Sequence, residues 1–436
     1  MMCKKYDKYQ ESNIEWIGLI PSSWKLTRLK FLADIITGST PSKNDDTYYK
    51  DGSFPWVKPD DLKGLTPITT TNVLINDEGK RVSRIIPKDS ILVCCIGSLG
   101  KIGIAGTKLA TNQQINSLIP NKLLNNNYCK YMIIASSSEY NKYANSNVVA
   151  IINKQQQGEL TYPLPSLEEQ KQIANYLDKK TAKIDETIAK NEELIQLLEE
   201  KRVALINQVV TKGLNPDVSM KDSGVEWIGE IPEHWDVINL KKCCEKITDG
   251  SHFSPETTAE GKYYITVRNI LDDKIDFENA PKISLDDYKV LKNNGCEPKK
   301  GDVLLSKDGT IGKCIIVNET NFVILSSLGL LRPNYLINSK YLRYYLLSDI
   351  NMKQMLSNIR GSAIKRLTIN IIKELLLILP PCEEQEAITT YLDPNVNKIN
   401  RTIDKIQNNI ALLEEYKTSL IHHVVTGKID VRGEDI

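Results

Sequence analysis

Two short loops, Thr37-Gly38-Ser39-Thr40-Pro-Ser-Lys43 and Asp249-Gly250-Ser251-His252, combine a glycine with hydroxyl, imidazole or ammonium donors. Glycine lets a backbone approach a phosphate or a base closely, and Ser, Thr and His donate to groove edges, so these loops are candidates for contact with DNA. A turn whose polar side chains are satisfied internally is the plain alternative. Gln113, Gln114 and Asn116 carry amides suited to bidentate contacts with adenine, although a β-rich stretch gives every second residue to the core. Lys101 and Lys313 each close a Gly-[Ser/Thr]-[Leu/Ile]-Gly turn. With Lys307, Arg360, Lys365 and Arg366 they are candidate phosphate contacts, the alternative being solvated surface charge.

Other chemistries find no support. Five residues before Gly100 and Gly312 stand Cys95 and Lys307, so neither turn is a phosphate-cradling P-loop. The string nearest to the Asn/Asp-Pro-Pro-aromatic element that holds a flipped adenine is Leu379-Pro-Pro-Cys382, which lacks both ends. Pro59-Asp60 with Glu78-Gly-Lys80 imitates a nuclease carboxylate set, but at loose spacing and without a counterpart later in the chain. Nine cysteines with no C-x-x-C and only four histidines read as reduced, mostly buried thiols, with no metal site. At 41% apolar and 25% charged residues, the 436-residue chain has ordinary globular composition and room for two or three domains. Its apolar runs fall far below the roughly 18 residues that span a membrane. No apolar stretch follows the basic start, so the expected location is cytoplasmic.

The elements that position these residues come from an internal repeat. Ser12-Asn-Ile-Glu-Trp16-Ile-Gly-Leu-Ile-Pro21-Ser-Ser-Trp24 returns as Ser223-Gly-Val-Glu-Trp227-Ile-Gly-Glu-Ile-Pro232-Glu-His-Trp235, an offset of 211. The Gly97 and Gly309 turns are offset by 212, and Leu164-Pro165-Ser-Leu-Glu168-Glu169-Gln170 returns at 215 as Leu379-Pro380-Pro-Cys-Glu383-Glu384-Gln385. Val209-Val210-Thr211 returns as Val424-Val425-Thr426. One module is written twice. The repeated tryptophans suit core anchors better than base-stacking platforms, because residues that read bases should diverge between copies. Net charge is +1 overall but +6 over residues 1–163, and −7 over 213–298 is offset by +7 over 299–380. Basic segments in each module suit a phosphate backbone.

Each module opens with short β-type runs punctuated by Gly, Pro, Asn and Asp and closes in a helical stretch. Leu177, Ile184, Asn191, Leu198 and Leu205 recur every seven residues, interleaved with Ala174, Thr181, Ile188, Ile195, Arg202 and Val209. The shift of 215 gives Leu392, Ile399, Ile406, Leu413 and Leu420, interleaved with Thr389, Val396, Ile403, Ile410, Lys417 and Val424. These are coiled-coil seams. Ser166-Leu-Glu-Glu169 matches a capping box, starting a helix of some 45 residues, about 68 Å at 1.5 Å per residue. In the second copy Pro394 either kinks the helix or takes the first position of one capped by Asp393, and the latter is preferred. The expected fold is mixed α/β: two α/β recognition domains in tandem, 1–163 and 213–380, separated by two long helices, 164–212 and 381–428, with a tail at 429–436. Antiparallel pairing of the helices as a coiled coil would give an approximate two-fold axis matching the backbone dyad of duplex DNA, so that each module meets one half-site.

The Glu-Trp-Ile-Gly-x-Ile-Pro-x-x-Trp starts, Phe54-Pro-Trp56-Val-Lys-Pro-Asp-Asp61-Leu62, Asp249-Gly-Ser-His252-Phe-Ser-Pro255, the Gly-Lys turns and the Leu-Pro-x-x-Glu-Glu-Gln helix starts together resemble the DNA-specificity subunit of Type I restriction-modification enzymes. The resemblance covers essentially the whole chain. It implies a non-catalytic subunit whose two target recognition domains read a bipartite, asymmetric double-stranded DNA target. It further implies helices that act as ruler and as docking surface for two modification subunits, which methylate adenine N6 with S-adenosylmethionine. Restriction and translocase subunits using ATP and Mg2+ complete the implied complex, and this chain itself binds no cofactor. A stand-alone DNA-modifying enzyme and a coiled-coil scaffold without nucleic acid are the alternatives.

Overall fold

The computed structural model describes residues 4–42, 46–142, 150–271, 274–357 and 366–433. The chain forms two compact units, one of residues 1–191 and 407–436, the other of 192–406. Unit one is discontinuous in sequence and unit two continuous, and each takes part of both long helices.

Unit one contains β1 (Lys25–Arg28), β2 (Ala33–Thr37), β3 (Phe54–Val57), β4 (Pro67–Ile68), β5 (Ile91–Cys94), β6 (Ile102–Ala105), β7 (Leu109–Thr111), β8 (Ile115–Pro120), α1 (Asn126–Ala135), β9 (Thr161–Leu164) and the first turns of α2 (Leu167–Lys212). Its larger sheet has the order β2-β8-β5-β6-β4, antiparallel except for the last pair. β5 is apolar throughout because both of its faces are covered. Ile91, Val93 and the following Cys95 cluster with Tyr128 and Met132 of α1, whereas Leu92 and Cys94 cluster with Val57 and Leu109 of a smaller sheet. In that sheet β3 and β7 run parallel, Trp56 opposite Ala110. β1 and β9 pair antiparallel, tying the start of the module to the residues just before α2.

Unit two repeats the plan with β10 (Asp236–Asn239), β11 (Cys244–Asp249), β12 (Lys262–Ile265), β13 (Val303–Ser306), β14 (Cys314–Ile316), β15 (Phe322–Ile324), β16 (Leu328–Pro333), α3 (Ser339–Leu347), β17 (Leu376–Leu379) and α4 (Cys382–Val425), part of which belongs here. The larger sheet is β11-β16-β13-β14, β12 pairs parallel with β15, and β10 pairs with β17. Val303 and Leu305 enter one core cluster and Leu304 another, the same alternation as in β5.

Within each unit the helices run antiparallel. In unit one the Tyr128 hydroxyl donates toward the Pro163 carbonyl at 3.1 Å and the Val425 carbonyl at 3.4 Å, so the end of α4 lies beside the start of α2. Farther along, Lys417 Nζ meets Asp185 at 2.5 Å. In unit two Tyr341 does the same for Ile378 (2.8 Å) and Val210 (3.3 Å), and Arg202 meets Asn400 at 2.7 Å. The seam residues Leu177, Ile184, Leu392, Ile399, Ile403 and Leu420 are buried, and Ile188, Ile195, Leu198, Leu205, Ile406, Ile410 and Leu413 are half-buried.

Two local expectations need correction. Ser166 Oγ accepts the Glu169 N–H at 3.3 Å, but the Glu169 carboxylate turns to the Tyr6 hydroxyl at 2.8 Å, so only half of the capping box forms. Pro394 does not begin a helix: α4 passes through it unbroken from Cys382. Asp393 is not a cap, because its carboxylate takes the Lys340 ammonium and the Tyr344 hydroxyl at 2.7 and 2.8 Å. The proline removes one helical N–H, while the Asn395 side-chain amide supplies an extra donor to the Tyr391 carbonyl at 2.8 Å. Buried Leu392 and Val396 hold the helix to the core on both sides of it.

The repeated motifs acquire physical reasons. Gln170 is buried, accepts the Asn125 N–H at 2.8 Å and donates to the Leu123 and Pro165 carbonyls. Gln385 does so for Asn338, Leu336 and Pro380. Gly213 and Gly427, with φ of +74° and +72°, follow the ends of α2 and α4 in the left-handed conformation open to glycine, packed against Trp235 and against Pro21 and Trp24. Trp24 and Trp235 are buried core anchors and Trp16 is half-buried, whereas Trp227 is 43% exposed. Burial pushes the Cys95, Cys129 and Cys314 thiols up to about 12. Among the described residues no His/Cys/Asp/Glu group is placed to hold a metal, and no helix is long and apolar enough to cross a membrane.

Replacing Gln170 with Ala strands one N–H and two carbonyls and should destabilise unit one by about 1–3 kcal/mol, with Q385A doing the same in unit two. Denaturant unfolding followed by hydrogen exchange, resolved by unit, reads both effects. His422 gives a pH signature. Its Nε2 lies 2.8 Å from the Trp16 carbonyl, and burial, helped by Lys428 and His423, lowers its pKa from 6.5 against the pull of that carbonyl. The unfolded chain therefore takes up the proton first, so unit one should lose stability as pH falls below about 6.5, and H422Q should remove that component from melting curves.

Candidate nucleic-acid interface

In both units the larger sheet hands over to the smaller one at a glycine. The Gly38 and Ser39 N–H groups donate to the Ile115 and Thr111 carbonyls at 3.0 and 2.8 Å, and those of Gly250 and Ser251 to Leu328 and Ile324 at 3.3 and 2.8 Å. A Cβ at Gly38 would stand 2.2 Å from the Asn112 carbonyl oxygen, and one at Gly250 would stand 2.0 Å from that of Ile324. The close approach is thus to the protein's own backbone. The same bonding frame matches positions between units: the Cys95 N–H donates to Gln114 and the Ile152 N–H to Cys95, as Lys307 does to Ser327 and Leu367 to Lys307.

Among the described residues around this joint in unit one, Thr40, Gln113 and Gln114 offer neutral groups and Arg84 and Lys101 charged ones. The Thr40 hydroxyl meets the Gln113 side-chain oxygen. Arg84 Nη1 donates to the Thr37 carbonyl at 2.6 Å, and the Ser39 carbonyl accepts the Trp56 indole N–H at 3.0 Å. Gln114 accepts from Asn112 at 2.8 Å. Asn116 is buried, with its oxygen on the Thr37 hydroxyl and its NH2 on Gln157, both at 2.7 Å, and so belongs to the core. Lys101 Nζ donates to the Pro59 carbonyl at 2.9 Å.

The matching place in unit two is charged. His252 Nε2 lies 3.2 Å from Asp249. The Lys307 side chain is only 4% exposed, with its ammonium 3.3 Å from Asp249 and 3.7 Å from Asp308. Arg366 grips Asp308 in a fork, Nε at 2.8 Å and Nη2 at 3.2 Å. Asp308 and Arg366 also form a backbone bridge, and the corresponding bridge in unit one joins Ile96 to Ile151. Ser251 is buried in a turn on Phe253, and Lys313 Nζ donates to the Ile270 carbonyl at 3.1 Å, as Lys101 does to Pro59. Tertiary structure thus gathers His252, Lys307 and Arg366 from three segments. Lys43, Arg360 and Lys365 lie outside the described residues.

Sequence reasoning missed Arg84 and Asp308 as members of these clusters, and named Asp249 only as the first residue of its loop. Arg84 lies in the link between a short helix, Asp77–Val82, and a two-residue strand, Ile85–Ile86, with no spacing signal. Asp308 lies next to Lys307 in sequence, but only the backbone bridge shows that it faces Arg366. G38A and G250A should each lower the melting temperature of their unit severely, because the obstruction is backbone, whereas alanine at exposed Arg366 should shift melting little.

A family model described as Type I restriction modification DNA specificity domain matches residues 21–198 and 232–412. Among curated proteins, the Type I restriction enzyme MjaIX specificity subunit of Methanocaldococcus jannaschii is 25% identical over 433 residues, covering 95% of both chains. The putative type I restriction enzyme MjaX specificity subunit of the same organism is 29% identical, over 97% of this chain and 98% of its own. A chain from a solved structure, described as showing complex assembly and conformational transition of the type I R-M system, shares the fold at TM-score 0.68. It is 17% identical and is covered to 99%, with 95% of this chain.

Proposed function

Because the chain belongs to the Type I restriction modification DNA specificity family, and is the non-catalytic DNA-specificity subunit of such a system, we propose that each of its two units reads one half of a split double-stranded target and that the halves differ in sequence. One observation carries the reading. The same backbone frame presents Thr40, Gln113 and an Ile96–Ile151 bridge in unit one but His252 and an Asp308–Arg366 bridge, over buried Lys307, in unit two. Surfaces of unlike hydrogen-bonding chemistry select unlike base edges.

In this reading α2 and α4 set the separation of the half-sites, and the outer helix surfaces dock two modification subunits. Those partners supply adenine methylation with S-adenosylmethionine. Restriction and translocase subunits supply ATP- and Mg2+-dependent cleavage, this chain holds no cofactor, and the complex acts in the cytoplasm. Lys101 and Lys313 serve as turn fasteners, each with an ammonium proton already on a carbonyl.

Exchanging residues 213–380 for those of another member should change one half of the methylated sequence, read by methylation mapping in a host that also carries the modification subunits. Lengthening α2 and α4 together should change the spacer. Binding by the assembled complex should weaken steeply with salt. A flat salt response would indicate a scaffold without nucleic acid, and an unchanged target after the exchange would overturn the division of labour.

A further inference from the structure

We propose that Arg366 reads a guanine in the half-site of unit two, with Asp308 and buried Lys307 as the positioning residues that aim it; this rests on the reading of unit two as a recognition unit. The side chains of Arg366 and His252 are 60% and 72% exposed, and each is seated on a carboxylate that is largely buried, Asp308 at 15% and Asp249 at 18%. Both carboxylates lie within 4 Å of the same Lys307 ammonium, at 3.7 and 3.3 Å. Two outward donors therefore rest on one internal brace.

The brace favours a base over a phosphate. A phosphate contact of the salt-sensitive kind draws on net positive charge, and Asp308 and Asp249 offset the charges of Arg366 and Lys307. What the arrangement supplies is orientation. With Nε and Nη2 each giving one N–H to Asp308, the guanidinium keeps one N–H of Nη1 and the second N–H of Nη2 side by side on its end edge. Two parallel donors on that edge match the N7 and O6 acceptors of guanine in the major groove. Only this edge faces outward, because the other is held by the carboxylate and by the backbone bridge between Asp308 and Arg366. In unit one an Ile96–Ile151 bridge takes this place, so neither position carries an arginine or a carboxylate there.

The test uses the full chain assembled with its modification subunits and duplexes carrying the mapped target, each guanine of the unit-two half-site replaced in turn by the other bases or by 7-deazaguanine. At one guanine of that half-site, wild type should lose roughly ten- to hundredfold in methylation rate on substitution. R366K keeps the charge but not the fork, and it should abolish discrimination at that base pair alone. D308N should relax the same base pair without a matching loss in melting temperature, a selectivity that a merely structural role would not produce. Uniform weakening across all sequences by R366A, with a salt slope lower by about one, would make Arg366 a phosphate contact and overturn the proposal. Unaltered discrimination in R366K would overturn it equally. Failure of the wider reading looks different: exchange of residues 213–380 would then leave both half-sites as they were.

Discussion

Each unit depends on the end of a long helix, which comes from the far end of the sequence in unit one and from just ahead of the module in unit two. In unit one the core around Tyr128 is completed by Val424 and Val425 of α4, and in unit two the core around Tyr341 is completed by Val209 and Val210 of α2. Without those valines each sheet-and-helix module would leave an apolar face open to water, at a cost of about 1.5–3 kcal/mol for each large side chain exposed. The tyrosine hydroxyls add direction to that burial. Each one points at the helix end and at the strand before the unit's own helix, which sets where two elements distant in sequence must meet.

That closure makes the rest positional. Once β1 and β9, or β10 and β17, are clamped beside the helix ends, the stretch of chain between them is held at both ends, and the glycine joint carries it from the larger sheet to the smaller one at a constant place. The loops flanking the joint can then change chemistry without disturbing the frame. Unit two carries a buried ammonium there, which would be strongly unfavourable alone but is offset by two carboxylates. Unit one carries Cys95 at the matching position and needs no such compensation.

Much of the architecture was legible in the residues. The second tryptophan of each start, the Leu-Pro-x-x-Glu-Glu-Gln segments and the Val-Val-Thr ends recur because each makes the same contacts twice, and a contact made twice leaves its imprint twice. The seven-residue spacing was legible because a helix burying one stripe must repeat it. Pro394 misled because local propensity argues for a helix start, and burial of Leu392 and Val396 prevails over it. Gly38, Gly250 and Asn116 looked like ligand contacts because a residue suited to meet a nucleic acid is equally suited to meet the chain's own backbone or a buried amide.

By itself the sequence determined the duplication, the alternation of mixed modules with long helices, and the residue types available for recognition, since periodicity and repeated contacts are written locally along the chain. Only the tertiary structure decided which helix end completes which core, and which of the candidate polar residues face outward together. Those are matters of contact between segments up to hundreds of residues apart, such as Tyr128 with Val425 or Arg366 with Asp308. Such pairings follow from how the sheets close and from which side chains they bury, and nothing in the local spacing encodes them.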